Sequence, residues 1–335
     1  MNWWVKRTGQ ALFTIWAVVT ITFVLIRGLP GDPGDRIREQ AQRHNPDMSQ
    51  AALERLIEAR IPASYDDPVH VAYWEYLTSV MRGDLGYSTF RRAEVAPEIA
   101  SVLPWTVLIM SLSTALMFAI GLGLGALMAY KEGSRFDTAM TGASIFFNSI
   151  PYYVAAVLLI AFLGYRLSVF PARGTHSDAT DPGLSAHFIF DALYHATLPT
   201  LSFVITGFGI IALTMRGNSI QTLGEEYIRV AKLRGIPDRR IALRYVGRNA
   251  ILPMWTTLLI SIGFMFGGAI ILEEIFQYRG MGWLMFRSIE HNDIYLMMGT
   301  FLIVTIAVVI ALWIADATYG WLDPRIKSGD DSESY

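Results

Sequence analysis

The chain has 335 residues, of which 53% are hydrophobic and only 17% charged, with a formal net charge of -2. That is too apolar for an ordinary soluble domain, and the apolar residues fall in blocks of bilayer length, so the sequence reads as a polytopic membrane protein. With no cysteine, disulfides, thiol catalysis and thiolate metal sites are excluded.

Residues 1–29 hold Lys6 and Arg7, then sixteen uncharged residues from Ala11 to Ile26. No small-residue cleavage site follows, and Arg27-Gly-Leu-Pro-Gly-Asp-Pro has the composition of a turn, so this is expected to be an uncleaved first span rather than a signal peptide. Residues 30–100 contain no span. Leu53, Leu56 and Ile57 share one face of an expected helix, and Val69, Tyr73, Tyr76, Leu77 and Val80 one face of another. Both suit helices lying on the membrane surface or capping a bundle. Between residues 27 and 100 there are nine Lys or Arg against twelve Asp or Glu, which gives no electrostatic footprint for nucleic acid.

Five further spans are expected at about 103–129, 138–164, 195–215, 251–272 and 295–319, making residues 101–326 a five-helix core and six spans in all. Gly121, Gly123 and Gly125 in the second span, with Gly263, Gly267 and Gly268 in the fifth, favour close helix packing. Asn148, Ser149 and Pro151 make a polar, kinked point in the third, which either bonds a neighbouring helix or lines a path. Ser261 and Met265 lie in the glycine-rich fifth span and join them as candidates for that path. Asp316, near the end of the last span, suits a partnered or interfacial carboxylate.

The largest charged interruption between spans is 222–253. Thr222 followed by Glu225 reads as a capping box opening a helix with Ile228, Ala231 and Lys232. Gly235 is the residue expected to end it in a left-handed cap, and Pro237 with Asp238 suits the first turn of a second helix. The result is a helical hairpin. The N-terminus, the 130–137 loop, the 216–250 segment that contains this hairpin and the C-terminal end carry fourteen Lys or Arg in total, whereas the short loops on the other face carry Arg166, Arg173, Arg279 and Arg287. By the positive-inside rule the hairpin and both termini face the cytoplasm and the 30–100 segment faces outward. Residues 327–335 form an acidic tail.

No catalytic pattern emerges. There is no G-x-x-x-x-G-K-[ST], so the chain holds no P-loop for ATP, and no H-E-x-x-H or G-x-S-x-G occurs. His176, His187 and His195 are expected to be scattered surface residues, and Met281, Met285, Met297 and Met298 to serve packing. Glu273 and Glu274 either attract a cationic substrate or mark the membrane edge. An ion-coupled secondary transporter would need ionisable residues within the spans and paired broken helices, neither of which is evident.

Six stretches in order carry a family resemblance: Leu29-Pro-Gly-Asp-Pro, Arg82-Gly-Asp-Leu-Gly-Tyr-Ser, Ser149-Ile-Pro, Glu226-Tyr-Ile-Arg-Val-Ala-Lys-Leu-Arg-Gly, Phe276-Gln-Tyr-Arg-Gly-Met-Gly and Leu322-Asp-Pro-Arg-Ile. The chain resembles the permease subunits of ABC importers, in particular the first-permease form of the dipeptide, oligopeptide and nickel group, and the hairpin resembles their EAA loop. Where the name-giving Glu-Ala-Ala stands, this chain has Arg229-Val230-Ala231, and Pro237 stands where many relatives have a serine cap. The resemblance implies an all-α, type I importer permease fold with an extracytoplasmic helical insertion, in a prokaryotic inner or plasma membrane. It implies partners: a second homologous permease, two ABC ATPase subunits that use ATP and Mg, an extracytoplasmic solute-binding protein, and lipid. No cofactor is expected in this chain. Tyr227, Ala231, Leu233, Arg234, Gly235 and Ile236 are the residues it points to for ATPase docking, and di- or oligopeptides, sugars or nickel are the substrates it allows.

Overall fold

Long apolar runs without helix-breaking clusters become long helices, and these dominate the computed structural model, which describes residues 3–27, 38, 41–43, 45–60, 67–88, 90–180, 182–237, 240–265 and 269–322. Before the first strand lie α1 (Trp3–Arg27), α2 (Gln50–Arg60) and α3 (Val69–Met81). A short antiparallel ladder of β1 (Tyr87–Ser88) and β2 (Ala93–Glu94) pairs Tyr87 with Glu94. Then come α4 (Val95–Tyr130), α5 (Arg135–Asn148), α6 (Tyr152–Leu159, continued by a π-helical turn to Arg166) and α7 (Ala186–Leu223).

 The C-terminal half adds α8 (Glu226–Leu233), a π-helical stretch (Ile241–Gly247) running directly into α9 (Arg248–Met265), α10 (Ile270–Ile275), α11 (Met281–Glu290) and α12 (Ile294–Leu322).

Four of these helices contain apolar stretches long enough to cross a membrane: Val5–Leu25, Val95–Tyr130, Ala186–Leu223 and Ile294–Ile314. The expected third span is not straight. It is the pair α5 and α6, bent by 88° where Asn148 to Pro151 interrupt the helix. Proline lacks the amide needed to continue the helical ladder, and Ser149 turns its hydroxyl back onto the Ile145 carbonyl at 2.8 Å, so the break is written locally. The expected fifth span, 251–272, is not among the long apolar helices of the described residues: α9 is described as far as Met265, residues 266–268 fall outside the described set, and α10 is short. Residues 28–33, Asp238, Gly267, Gly268, the side chain of Asp316 and the tail 327–335 also lie outside the described residues.

The chain divides into two compact units. The first comprises residues 1–106, 266–270 and 279–310. In it α3 packs on α1 through Phe23, which meets the rings of Tyr73 at 5.4 Å and Tyr76 at 5.7 Å, while the Tyr73 hydroxyl and Thr20 Oγ1 share a hydrogen bond of 2.7 Å. The buried face of α3 is therefore Ala72, Tyr73 and Tyr76, with the expected Val69 58% exposed. A second cluster joins Val95, Ile99 and Val102 of α4 to Met281, Leu284 and Leu296. Asp293 organises the neighbouring turn. Its carboxylate accepts from Ser88 Oγ at 2.7 Å, Phe90 N at 3.0 Å and Leu296 N at 3.0 Å, so one buried side chain both caps α12 and holds the β1–β2 connection.

The second unit comprises residues 107–265, 271–278 and 311–335. Its centre is α7, which packs against α5, α6 and α9. Close approach depends on glycine at particular points. A Cβ on Gly121 would lie 2.7 Å from Ile211, one on Gly125 would collide with the Ala212 carbonyl, and one on Gly209 would lie 2.5 Å from the Ser144 carbonyl. Gly123, expected to share this role, faces open space.

Candidate functional site

Between α7 and α9 the chain forms the helical hairpin, but it enters it differently from the expectation. Thr222 does not cap α8. It sits in the last turn of α7, where its hydroxyl donates to the Asn218 carbonyl at 2.8 Å, and α8 begins after Glu225, whose side chain makes no capping bond. α7 continues through Thr222 to Leu223, so the capping signature is absorbed by a longer helix.

The end of α8 follows the expectation closely. Gly235 takes φ of +70°. Its amide donates to the Lys232 carbonyl at 2.9 Å and the Ile236 amide to the Ala231 carbonyl at 3.2 Å, the paired bonds of a Schellman motif. Ile236 then folds back onto the hairpin's own core, formed by Ile228, Ala231, Ile241 and Val246 with Leu223 and Tyr245 around them. Burying each large aliphatic side chain here contributes about 1.5–3 kcal/mol, enough to hold two short helical limbs together. Beyond Pro237, whose carbonyl accepts from Arg240 N at 2.8 Å and Ile241 N at 3.1 Å, the second limb continues into α9 with no intervening loop.

The hairpin's outward face is apolar and basic. Tyr227 is 41% exposed, Val230 47% and Leu233 82%, in a row at a spacing of three residues, with Arg234 and Gly235 exposed beside them. Thus, of the six residues expected to dock a partner, Tyr227, Leu233, Arg234 and Gly235 face outward. Ala231, at 3% exposure, points into the core and Ile236 is partly covered, so these two set the shape behind that surface. Sequence reasoning missed Asn249, whose Nδ2 donates to the Tyr227 hydroxyl at 2.9 Å and the Tyr245 carbonyl at 2.8 Å, tying the outer face of α8 to the start of α9. Asn218 Nδ2 adds a bond to the Ala250 carbonyl at 3.3 Å between α7 and α9.

Asn148, Ser149 and Pro151 come together at the bend between α5 and α6, all three exposed. Ser261 stands apart from them on α9, its hydroxyl donating to the Thr257 carbonyl at 2.8 Å, and the side chain of Met265 lies outside the described residues. The histidines are not all scattered. His195 is buried, its Nδ1 2.9 Å from the Asp191 carbonyl oxygen, and Asp191 accepts from the amide and hydroxyl of Ser177, next to His176, while His187 is exposed. These contacts tie the 167–185 loop to α7, and a helical spacing of four between Asp191 and His195 was the available signal. Met281, Met285 and Met298 are buried, as expected of packing residues.

Comparison with known proteins places this geometry beside a family, two relatives and one solved structure. Residues 121–328 match the family described as binding-protein-dependent transport system inner membrane component. Among full-length relatives, the chain is 31% identical to the oligopeptide transport system permease protein AppB of Bacillus subtilis, covering 96% of this chain and 98% of that one. It is 29% identical to the di/tripeptide transport system permease protein DppB of Pseudomonas aeruginosa, covering 96% and 97%. A chain of the MetNI methionine ABC transporter, solved in inward-facing conformations, shares its fold with a TM-score of 0.54 at 13% identity, over 68% of this chain and 96% of that chain.

Proposed function

Because the chain belongs to the binding-protein-dependent transport system inner membrane component family, the permease subunits of ABC importers, we propose that it forms half of a peptide translocation path driven by separate ATPase subunits. In this reading it crosses the membrane six times, with α9 as the core of the fifth crossing and both termini in the cytoplasm. The path is completed by a second homologous permease. A solute-binding protein delivers di- or oligopeptides from outside, a substrate class supported by the relatives named for peptide transport. ATP and Mg act in the two partner ATPase subunits.

The observation that carries this reading is the form of the hairpin. An apolar row of Tyr227, Val230 and Leu233 lies exposed on a short helix whose rear face is packed, whose end is fixed by Gly235, and whose second limb runs unbroken into α9. Such a helix can dock in a cleft of an ATPase subunit as an EAA loop does, and when the ATPases close it can only move together with α7 and α9. Rigid-body displacement of α7 would reach the bend at Asn148, Ser149 and Pro151, because α5 and α6 both pack on α7. Ser261 and Met265, on α9, belong to the same moving set.

The test is uptake by the purified complex in proteoliposomes. ATP-dependent accumulation of labelled trialanine, dependent on the binding protein and on a co-purifying P-loop subunit, is the expected result. Uptake by the isolated chain on an ion gradient would instead establish a secondary transporter, and ATP-driven uptake of a sugar or nickel without peptide would overturn the substrate assignment.

A further inference from the structure

A polar lock outside the hairpin joins α7 to α5. Arg216 Nε donates to Asp137 Oδ1 at 2.6 Å and Arg216 Nη2 to Oδ2 at 2.8 Å, a two-pronged bond between planar groups. The Asp137 side chain is only 4% exposed, that of Arg216 27%. Asp137 is held from the other side too, since Gly133 N donates to Oδ2 at 3.0 Å. The carboxylate orientation is therefore fixed between the Gly133 amide and Arg216, and it faces the segment of α7 that leads into the hairpin. Ser134 caps α5 by accepting from the backbone amide of Asp137 at 3.2 Å and makes no bond to the carboxylate.

The rest of the α5–α6 element is fastened to α7 by contacts of a different kind. Gly209 lies against the backbone at Ser144, Phe147 meets Phe208 at 6.2 Å between ring centroids, and Tyr152 stacks on Phe203 at 4.8 Å. Apolar contacts of this type hold two surfaces together but permit sliding and rotation. A bidentate guanidinium–carboxylate pair fixes both separation and angle. Placed where α7 emerges toward the hairpin, it sets how rotation of α7 is passed to α5.

We propose that the Asp137–Arg216 pair is a positioning link for transport: it forces α5 to turn with the hairpin-bearing end of α7, so that the displacement delivered to the hairpin reaches the bend at Asn148 to Pro151. This rests on the reading of the hairpin as the ATPase docking element. The residues touch no substrate and act through the helices they join. Their loss should uncouple ATP hydrolysis from uptake rather than abolish either assembly or hydrolysis.

The experiment compares Arg216→Gln, Arg216→Lys and Ser134→Ala with the unaltered chain in the assembled complex, after size-exclusion chromatography, measuring ATP hydrolysed per labelled trialanine accumulated. Unaltered complex that fails to couple hydrolysis to uptake would overturn the function proposed above and not this link in particular. Given coupling in the unaltered complex, Arg216→Gln should raise the ATP used per peptide about tenfold, the equivalent of losing one charge-assisted hydrogen bond. Arg216→Lys keeps the charge without the fork and should fall between, at about twofold to threefold. Ser134→Ala weakens the cap of the same helix while leaving the ion pair, and should keep the unaltered ratio. Equal ratios in all four proteins, or uncoupling by Ser134→Ala as large as by Arg216→Gln, would overturn the proposal. So would loss of assembly in Arg216→Lys, because the pair would then serve folding alone.

Discussion

At the scale of single residues, Gly235 separates conformational need from spatial need. Among the described residues no atom beyond its chain neighbours lies within 4 Å of where its Cβ would be, so the cost there is that of holding φ at +70°. For an L-residue that cost is about 1–2 kcal/mol, less for Asn or Asp and more for a β-branched residue. The substitutions should therefore rank by conformational tolerance and not by size. Gly235→Asn is expected to keep most ATP-coupled uptake, Gly235→Asp to lose part of it, and Gly235→Val to lose most while the chain remains in the membrane, as read by uptake against immunodetected membrane content. A ranking by side-chain volume would count against the Schellman turn as the reason for the glycine. The helix-contact glycines are the opposite case. At Gly125 the backbone conformation is ordinary, and the neighbouring Ala212 carbonyl is what forbids a side chain.

At the scale of elements, α3 shows how a short helix outside the spans is held. Its contact with α1 turns on aromatic rings around Phe23, and the Tyr76 hydroxyl is buried there without a hydrogen-bond partner among the described residues. Burial pushes the Tyr76 phenol up to about 12 from 10.0, because the charged phenolate cannot be solvated. The sign follows from the direction: the raised value favours the neutral form in the folded state, so its contribution to stability is complete below pH 10 and is lost as pH rises toward 12. Tyr76→Phe removes an unpaired hydroxyl and keeps the ring. It is expected to stabilise the α1–α3 contact by about 1 kcal/mol or leave it unchanged at neutral pH, and to lessen the loss between pH 10 and 12, as measured by thermal unfolding in detergent across that range. Destabilisation at neutral pH would show that the hydroxyl has a partner in solution. The bend between α5 and α6 has a local cause as well: a proline and a serine within three residues interrupt the helix.

At the scale of the whole molecule, the distribution of basic residues predicts an orientation that can be checked directly, since the chain has no cysteine to interfere. A membrane-impermeant maleimide should label Glu75→Cys in intact cells, and Glu132→Cys and Ser328→Cys only after permeabilisation. Labelling of Ser328→Cys in intact cells would overturn the six-crossing topology, because it would place the tail outside. Much of this architecture was legible locally. Apolar runs of bilayer length marked the long helices, the Ser149 to Pro151 signal marked the bend, and Gly235 marked the turn of the hairpin, each because the physical cause lies within a few residues of its effect. The Thr222 signal failed for a related reason: a capping pattern has no force where a strong helix continues through it. Asp137 and Arg216 are 79 residues apart and Ser88 and Asp293 are 205 apart, and nothing in either neighbourhood announces the partner. The inward turn of Ala231 and the grip of Asn249 on Tyr227 were likewise invisible until the two limbs of the hairpin packed. What the sequence determined by itself was therefore where the long helices run and break, since those depend on local conformation and transfer from water. Which side chains lock those helices to one another was decided only by tertiary structure, because pairing depends on the positions of groups that the chain brings together from far apart.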